Sequence, residues 1–126
     1  MKKVLMNLQN YLFADAVERS LREDGDFIIV NVSDSDDVIH QCELTSPEVI
    51  FMEVTGYLPW RMSERMKIRK IVKGRDPNCK VVLMVNENTE EGMAEQIIEA
   101  KLNGEIDGFV YSSVSASYLS ALLQTV

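Results

Sequence analysis

Three small groups of residues in this chain have the types and spacing to do chemistry. The soft ligands and nucleophiles are two cysteines, Cys42 and Cys79, and one histidine, His40. They form no CxxC and have no second histidine, so they cannot build a zinc site, and a Cys–His nucleophile pair has no sequence support. The simplest reading is a pair of reduced, buried thiols in an intracellular protein, with the histidine on a helix face. A second group is basic: Arg61, Arg65, Lys67, Arg69, Lys70, Lys73, Arg75 and Lys80 crowd one segment, opposed only by Glu64 and Asp76. That segment carries +6 in a chain of net charge −7. It reads as the solvated face of a helix, with a docking face for an acidic partner surface as the functional alternative. The third group is Glu53, near the end of the apolar run Val49–Val54, with Trp60 in the loop that follows. By itself Glu53 reads as a solvated or hydrogen-bonded carboxylate at a strand end.

Much chemistry is excluded. An isoelectric point near 4.7 argues against direct contact with nucleic acid, whose affinity comes mostly from phosphate neutralisation. No aromatic residues interleave with the basic cluster, which weakens that option further. The turn after the first apolar run (Lys3–Met6) has no glycine, so neither a dinucleotide fingerprint nor a P-loop is present, and a flavin phosphate loop is missing too. There is no GxSxG elbow. Nothing here makes a positive case for an enzyme or calls for a metal or other cofactor.

The elements that must position these residues follow from periodicity. At 126 residues, 46% hydrophobic and 26% charged, the chain is long enough for one globular domain with its own core, spanning residues 1–126. The apolar runs are far short of the ~20 residues that span a bilayer. No signal peptide precedes them, so a soluble cytoplasmic protein is expected. Strands are predicted at Lys3–Met6, Phe27–Val32, Val49–Val54, Lys80–Val85 and Phe109–Tyr111. Helices are predicted between them. The first carries Leu12, Phe13, Ala16, Val17 and Leu21 inward and ends at Gly25. The second is capped within Ser33–Asp37 and has Val38, Ile39, Cys42 and Leu44 inside. The third has Met62, Met66, Ile68, Ile71 and Val72 inside. The fourth is capped by Asn88 or Thr89, has Met93, Ile97, Ile98 and Leu102 inside, and stops at Asn103–Gly104. The last carries Tyr118, Leu119, Leu122 and Leu123. Five strand–helix units in strict alternation predict an α/β, doubly wound (βα)5 fold, a five-stranded parallel sheet with helices on both faces. In such sheets ligands sit beyond the carboxyl ends of the strands, here Asn7–Asn10, Glu53–Thr55, Val85–Asn88 and Tyr111–Ser113.

This pattern resembles the receiver domains of bacterial two-component response regulators, the CheY-like branch of the flavodoxin-like folds. Leu8-Gln9-Asn10-Tyr11-Leu12-Phe13 sits where many receivers read Asp-Asp-His/Asn-x-Leu-Phe. Ser46 to Glu53 is similar to the family's xPDVVLLD third strand, and Asp107 to Tyr111 to its DGYLLK stretch. The first-helix segment is closest in character to receivers of NarL/FixJ-type regulators, which carry a C-terminal helix-turn-helix domain.

The resemblance implies a site whose signatures are all altered. The acidic pair that holds Mg²⁺ falls on Leu8 and Gln9, and the phosphoacceptor aspartate on Glu53. The hydroxyl ending the fourth strand falls on Val85, with Asn86 beside it. The lysine ending the fifth falls on Ser112, and the switch aromatic on Phe109. One carboxylate and an amide offer too little charge to hold Mg²⁺, and phosphoryl transfer depends on cations that neutralise developing charge. The resemblance therefore implies a degenerate, phosphorylation-independent signalling module, involved in transcription regulation through a DNA-binding domain in the intact protein. Glu53 would then stand as a built-in mimic or a plain polar residue, and Trp60 as a lid over the altered pocket. Protein partners are expected, including a homodimer through helix 4, strand 5 and helix 5, with no membrane contact. An apolar helix face running to Val126 suggests an excised domain. The alternatives are a working phosphoacceptor with an unconventional site, or a small-molecule sensor of the same fold.

Overall fold

Apolar side chains at nearly every position of the central strands require cover on both sides, and the chain supplies it. The computed structural model describes residues 1–24, 26–88 and 91–126, with Glu91 by its backbone alone. Strands β1 (Lys2–Asn7), β2 (Phe27–Asn31), β3 (Val49–Val54), β4 (Lys80–Val85) and β5 (Gly108–Tyr111) alternate with helices α1 (Tyr11–Asp24), α2 (Val38–Thr45), α3 (Met62–Arg75), α4 (Glu91–Leu102) and α5 (Ala116–Thr125). A 3-10 turn, Ser35–Asp37, leads into α2. All strand pairs are parallel, in the order β2-β1-β3-β4-β5. The predicted doubly wound sheet is thus the observed one. β3 and β4 begin and end at the predicted residues, and the other strands differ by one or two positions.

The two-residue period of a strand divides the core into two layers. Val4, Met6, Val49, Phe51, Val82, Met84 and Val110 pack with Ala14, Val17, Leu21, Leu119 and Leu123 of α1 and α5. Leu5, Ile50, Met52, Val54, Val81, Leu83 and Val85 pack on the opposite face with α2, α3 and α4, through Val38, Ile68, Val72 and Ile97. This parity fixes which face each strand-end residue presents to the site.

Local signals set the helix ends. Asn10 Oδ1 accepts from the Leu12 and Phe13 amides at 3.0 and 3.1 Å, opening α1. Asp34 caps the 3-10 turn through the Asp36 amide, and Ser115 caps α5 through the Tyr118 amide. Gly104, at φ 74°, ends α4 in the left-handed conformation, and the Glu105 amide closes onto Ala100 O. The basic start of the chain does the same work at two C-termini: Lys2 Nζ donates to Gln124 O at the end of α5, and Lys3 Nζ to Thr45 O at the end of α2. The predicted stop at Gly25 and cap at Thr89 lie outside the described residues.

Several residues predicted to face inward are exposed: Leu12, Ala16, Leu44, Ile71, Ile98, Leu102 and Tyr118. A helix on a sheet buries one narrow stripe, and in α1 that stripe is Ala14, Val17 and Leu21, so Leu12 and Ala16 fall outside it. Among the described residues, no helix is long and apolar enough to cross a membrane.

Candidate functional site

The carboxyl edge of the sheet holds a cleft of about 480 Å³ lined by Gln9, Glu53, Val54, Thr55, Gly56, Tyr57, Asn86 and Asn88. It lies beside β1 and β3, where the crossovers leave the sheet in opposite directions. Glu53 is half-buried and shares the parity of Val49 and Phe51, which turns its side chain to the α1 face. There Glu53 Oε1 accepts the backbone amide of Gln9 at 2.8 Å. The carboxylate therefore fastens the β1–α1 loop.

Behind the cleft, on the α3 face, lies a residue that sequence reasoning placed in solvent. Arg65 is completely buried. Its Nε donates to the backbone oxygen of Glu53 at 2.7 Å. Nη1 donates to Asn7 Oδ1 at 2.8 Å and to Ser35 Oγ at 3.3 Å, and Nη2 to Asn7 O at 3.5 Å. Trp60, itself buried, lies with its ring centroid 4.7 Å from the guanidinium carbon, a cation–π geometry. Asn7 is held in turn: its Nδ2 donates to Val32 O at 2.7 Å, and its Oδ1 also accepts from Ser35 Oγ at 2.9 Å. Burial pulls the Arg65 guanidinium down to about 10, against the opposing effect of the Glu53 carboxylate, so it remains charged at neutral pH.

The remaining sequence-predicted positions are dispersed by strand parity. Leu8 is buried in the α1–α5 layer. Val85 is buried in the opposite layer, where it pairs in register with Val54 and Tyr111. Ser112 donates its amide to Val85 O, while the residue lines a small groove with Phe13, Val17 and Leu119 between α1 and α5, a lining that does not include Glu53. Phe109 is half-buried and packs edge-on against Tyr111 at 6.1 Å. The fold thus brings Gln9 to Glu53 and Trp60 to Arg65, and it leaves Ser112 on a different surface. Among the described residues, no group of three or more His, Cys, Asp and Glu is arranged to hold a metal.

No protein-family model matches the sequence, and no curated protein matches it. Solved structures do. A receiver domain protein from Clostridium thermocellum superposes with a TM-score of 0.80 at 17% identity, covering 98% of this chain and 92% of that one. A LuxR-family DNA-binding response regulator from Staphylococcus aureus gives 0.78 at 15% identity, covering 98% and 97%. The NtrX receiver of Brucella abortus gives 0.75 at 17%, covering 98% and 99%. The chain has the receiver fold. The receiver fold here also joins Asn7, at one of the strand ends singled out from sequence, to Arg65, whose burial sequence reasoning missed. Arg65 keeps the i, i+3, i+7 spacing of Ile68 and Val72, the buried stripe of α3, and that spacing was the available signal.

The rest of the basic segment is only partly free. Lys73 Nζ lies 2.9 Å from Asp107 Oδ2, Arg75 pairs with Glu43 of α2, and Arg69 Nε donates to Glu105 O. Lys67 pairs with Glu64 at 3.6 Å. Arg61, Lys67, Lys70 and Arg75 are exposed, as expected of a solvated face, while Arg69, Lys73 and Arg75 also tie α3 to Glu105, Asp107 and Glu43.

Proposed function

We propose that this domain is a degenerate receiver of a two-component response regulator, a non-enzymatic signalling module that works in the cytoplasm without phosphorylation. The observation that carries this reading is the state of Glu53. Its carboxylate stands without a second: Oε1 accepts the Gln9 amide, and the positions that the receiver pattern gives to the acidic pair and the hydroxyl hold Leu8, Gln9 and Val85, none of them anionic. A hard divalent ion needs several oxygen ligands, with more charge than one carboxylate supplies. Phosphoryl transfer without such an ion, and without a lysine nearby, loses the cations that neutralise the transferring oxygens.

The output surface in this reading is the α4–β5–α5 face. Phe109, Tyr111, Tyr118 and Leu122 line a groove of about 480 Å³ there, and Tyr118 and Leu102 are exposed. Exposed apolar side chains of this size are suited to a protein partner, including a second copy of the chain. A role in transcription, through a DNA-binding domain joined to this one, draws support from the Staphylococcus aureus neighbour, a DNA-binding regulator.

Incubation with acetyl phosphate and Mg²⁺, followed by intact-mass measurement, tests the reading. The mass is expected to stay unchanged. A stoichiometric phosphoryl adduct on the native domain would overturn it.

A further inference from the structure

We infer that Arg65 is a resident counter-cation: its guanidinium holds the ends of β1 and β3 and the turn after β2 together, in a buried slot shaped for a guanidinium group. The inference does not depend on the proposed loss of the phosphorylation cycle. Its own footing is the buried network.

A fully buried charge is costly, and it persists only where hydrogen bonds and a counter-charge answer it. Arg65 meets both conditions. Its donors reach Glu53 O, Asn7 Oδ1, Asn7 O and Ser35 Oγ, and the Trp60 ring lies against the guanidinium. Every acceptor is neutral. The carboxylate of Glu53 lies on the other parity of β3 and acts on Arg65 through space, without a hydrogen bond between them. Asn7 is fixed by Val32 O and Ser35 Oγ, so its Oδ1 has one orientation, aimed at Nη1. Among the described residues, no buried side-chain polar atom lacks a partner. The planar fork of donors matters here, because a lysine ammonium cannot reach two strand ends and a turn while keeping its charge against the indole.

The test is chemical rescue. Arg65→Ala leaves a guanidinium-shaped hole lined by these oxygens and by Trp60. Low millimolar methylguanidinium, far below denaturing concentration, is expected to raise the urea midpoint of Arg65→Ala saturably and to return Trp60 emission to the wild-type wavelength. Neither effect is expected in the wild-type domain or with sodium chloride at equal ionic strength. If Arg65→Ala folds only poorly, Arg65→Lys supplies the second readout. It retains the charge, and its Trp60 emission is expected to shift while the fold is kept. The inference is overturned if Arg65→Ala is as stable as wild type, if sodium chloride rescues it equally, or if Arg65→Lys matches wild type in midpoint and emission. None of these readouts involves phosphorylation, so an acetyl phosphate adduct would overturn the receiver reading and leave this one standing.

Discussion

The side-chain oxygen of Asn7 lies 2.8 Å from Nη1 of Arg65, joining the last residue of β1 to the first turn of α3 inside the protein. The bond is short, charge-assisted and out of reach of solvent, since both residues are fully buried. It makes a strand end and a helix start into one unit, with Ser35 and Trp60 attached to it.

Replacing Asn7 with leucine keeps the volume and removes the acceptor. Arg65 then retains its charge but loses its best side-chain partner, and the Val32 carbonyl and the Ser35 hydroxyl lose theirs. Leaving a buried charged donor unpaired costs about 2–4 kcal/mol. Asn7→Leu is expected to lower the unfolding free energy by that amount in urea denaturation. An Asn7→Asp variant, which keeps the acceptor, is expected to lose less.

Asp107 offers a pH-dependent test. Burial alone would raise its carboxyl, but the hydrogen bond from Lys73, the Val81 amide and the charges of Lys73 and Lys80 together bring it below the usual carboxylate range. Its folded value is thus below its unfolded one. The stabilisation is present above the unfolded value, near pH 4, and is lost as pH falls through the folded value. The gap in urea midpoint between wild type and Asp107→Asn is expected to be constant from pH 5 to 7 and to shrink below pH 4, as followed by tryptophan fluorescence. An unchanged gap at pH 3 would contradict the assignment.

The two thiols should be inert in the native domain. Burial, and then the neighbouring Cys79, push the Cys42 thiol up to about 12; burial and Asp76 push Cys79 up to about 11, against Lys73. A free cysteine titrates near 8.5, so at pH 8 the native thiolate fractions are lower by more than about a hundred-fold. Alkylation by iodoacetamide, read by intact mass, is expected to be slower by at least that factor and to become rapid for both cysteines in urea.

Where burial is nearly continuous the sequence was legible, and where polarity hid it the sequence was not. Val49–Val54 and Lys80–Val85 announced themselves as strands covered on both faces, because apolar residues at nearly every position suit nothing else at that length. Their alternation with amphipathic stretches led to the topology. Helix faces were read too broadly: Leu44 and Ile71 are apolar yet exposed, at 65% and 41%, because the stripe against a sheet is narrower than the apolar content of the helix. At the cleft, Gln9 and Glu53 could be singled out from sequence, since they sit at or just beyond strand ends. The buried cation behind them could not. Arg65 was one of eight basic residues in a row of similar ones, and only its spacing with Ile68 and Val72 set it apart. Asn7 ended a strand whose interior was apolar, and its role depends on partners 25 and 58 positions away.

The most direct measurement is a magnesium titration of the domain, with and without beryllofluoride, followed by amide chemical shifts. With a single carboxylate at the cleft, Glu53, the amides of Gln9, Glu53 and Thr55 should show only the small, unsaturable drift of rising ionic strength. Saturable shifts centred on those three residues would mean that the edge of the sheet still captures the ion, and the account would be wrong.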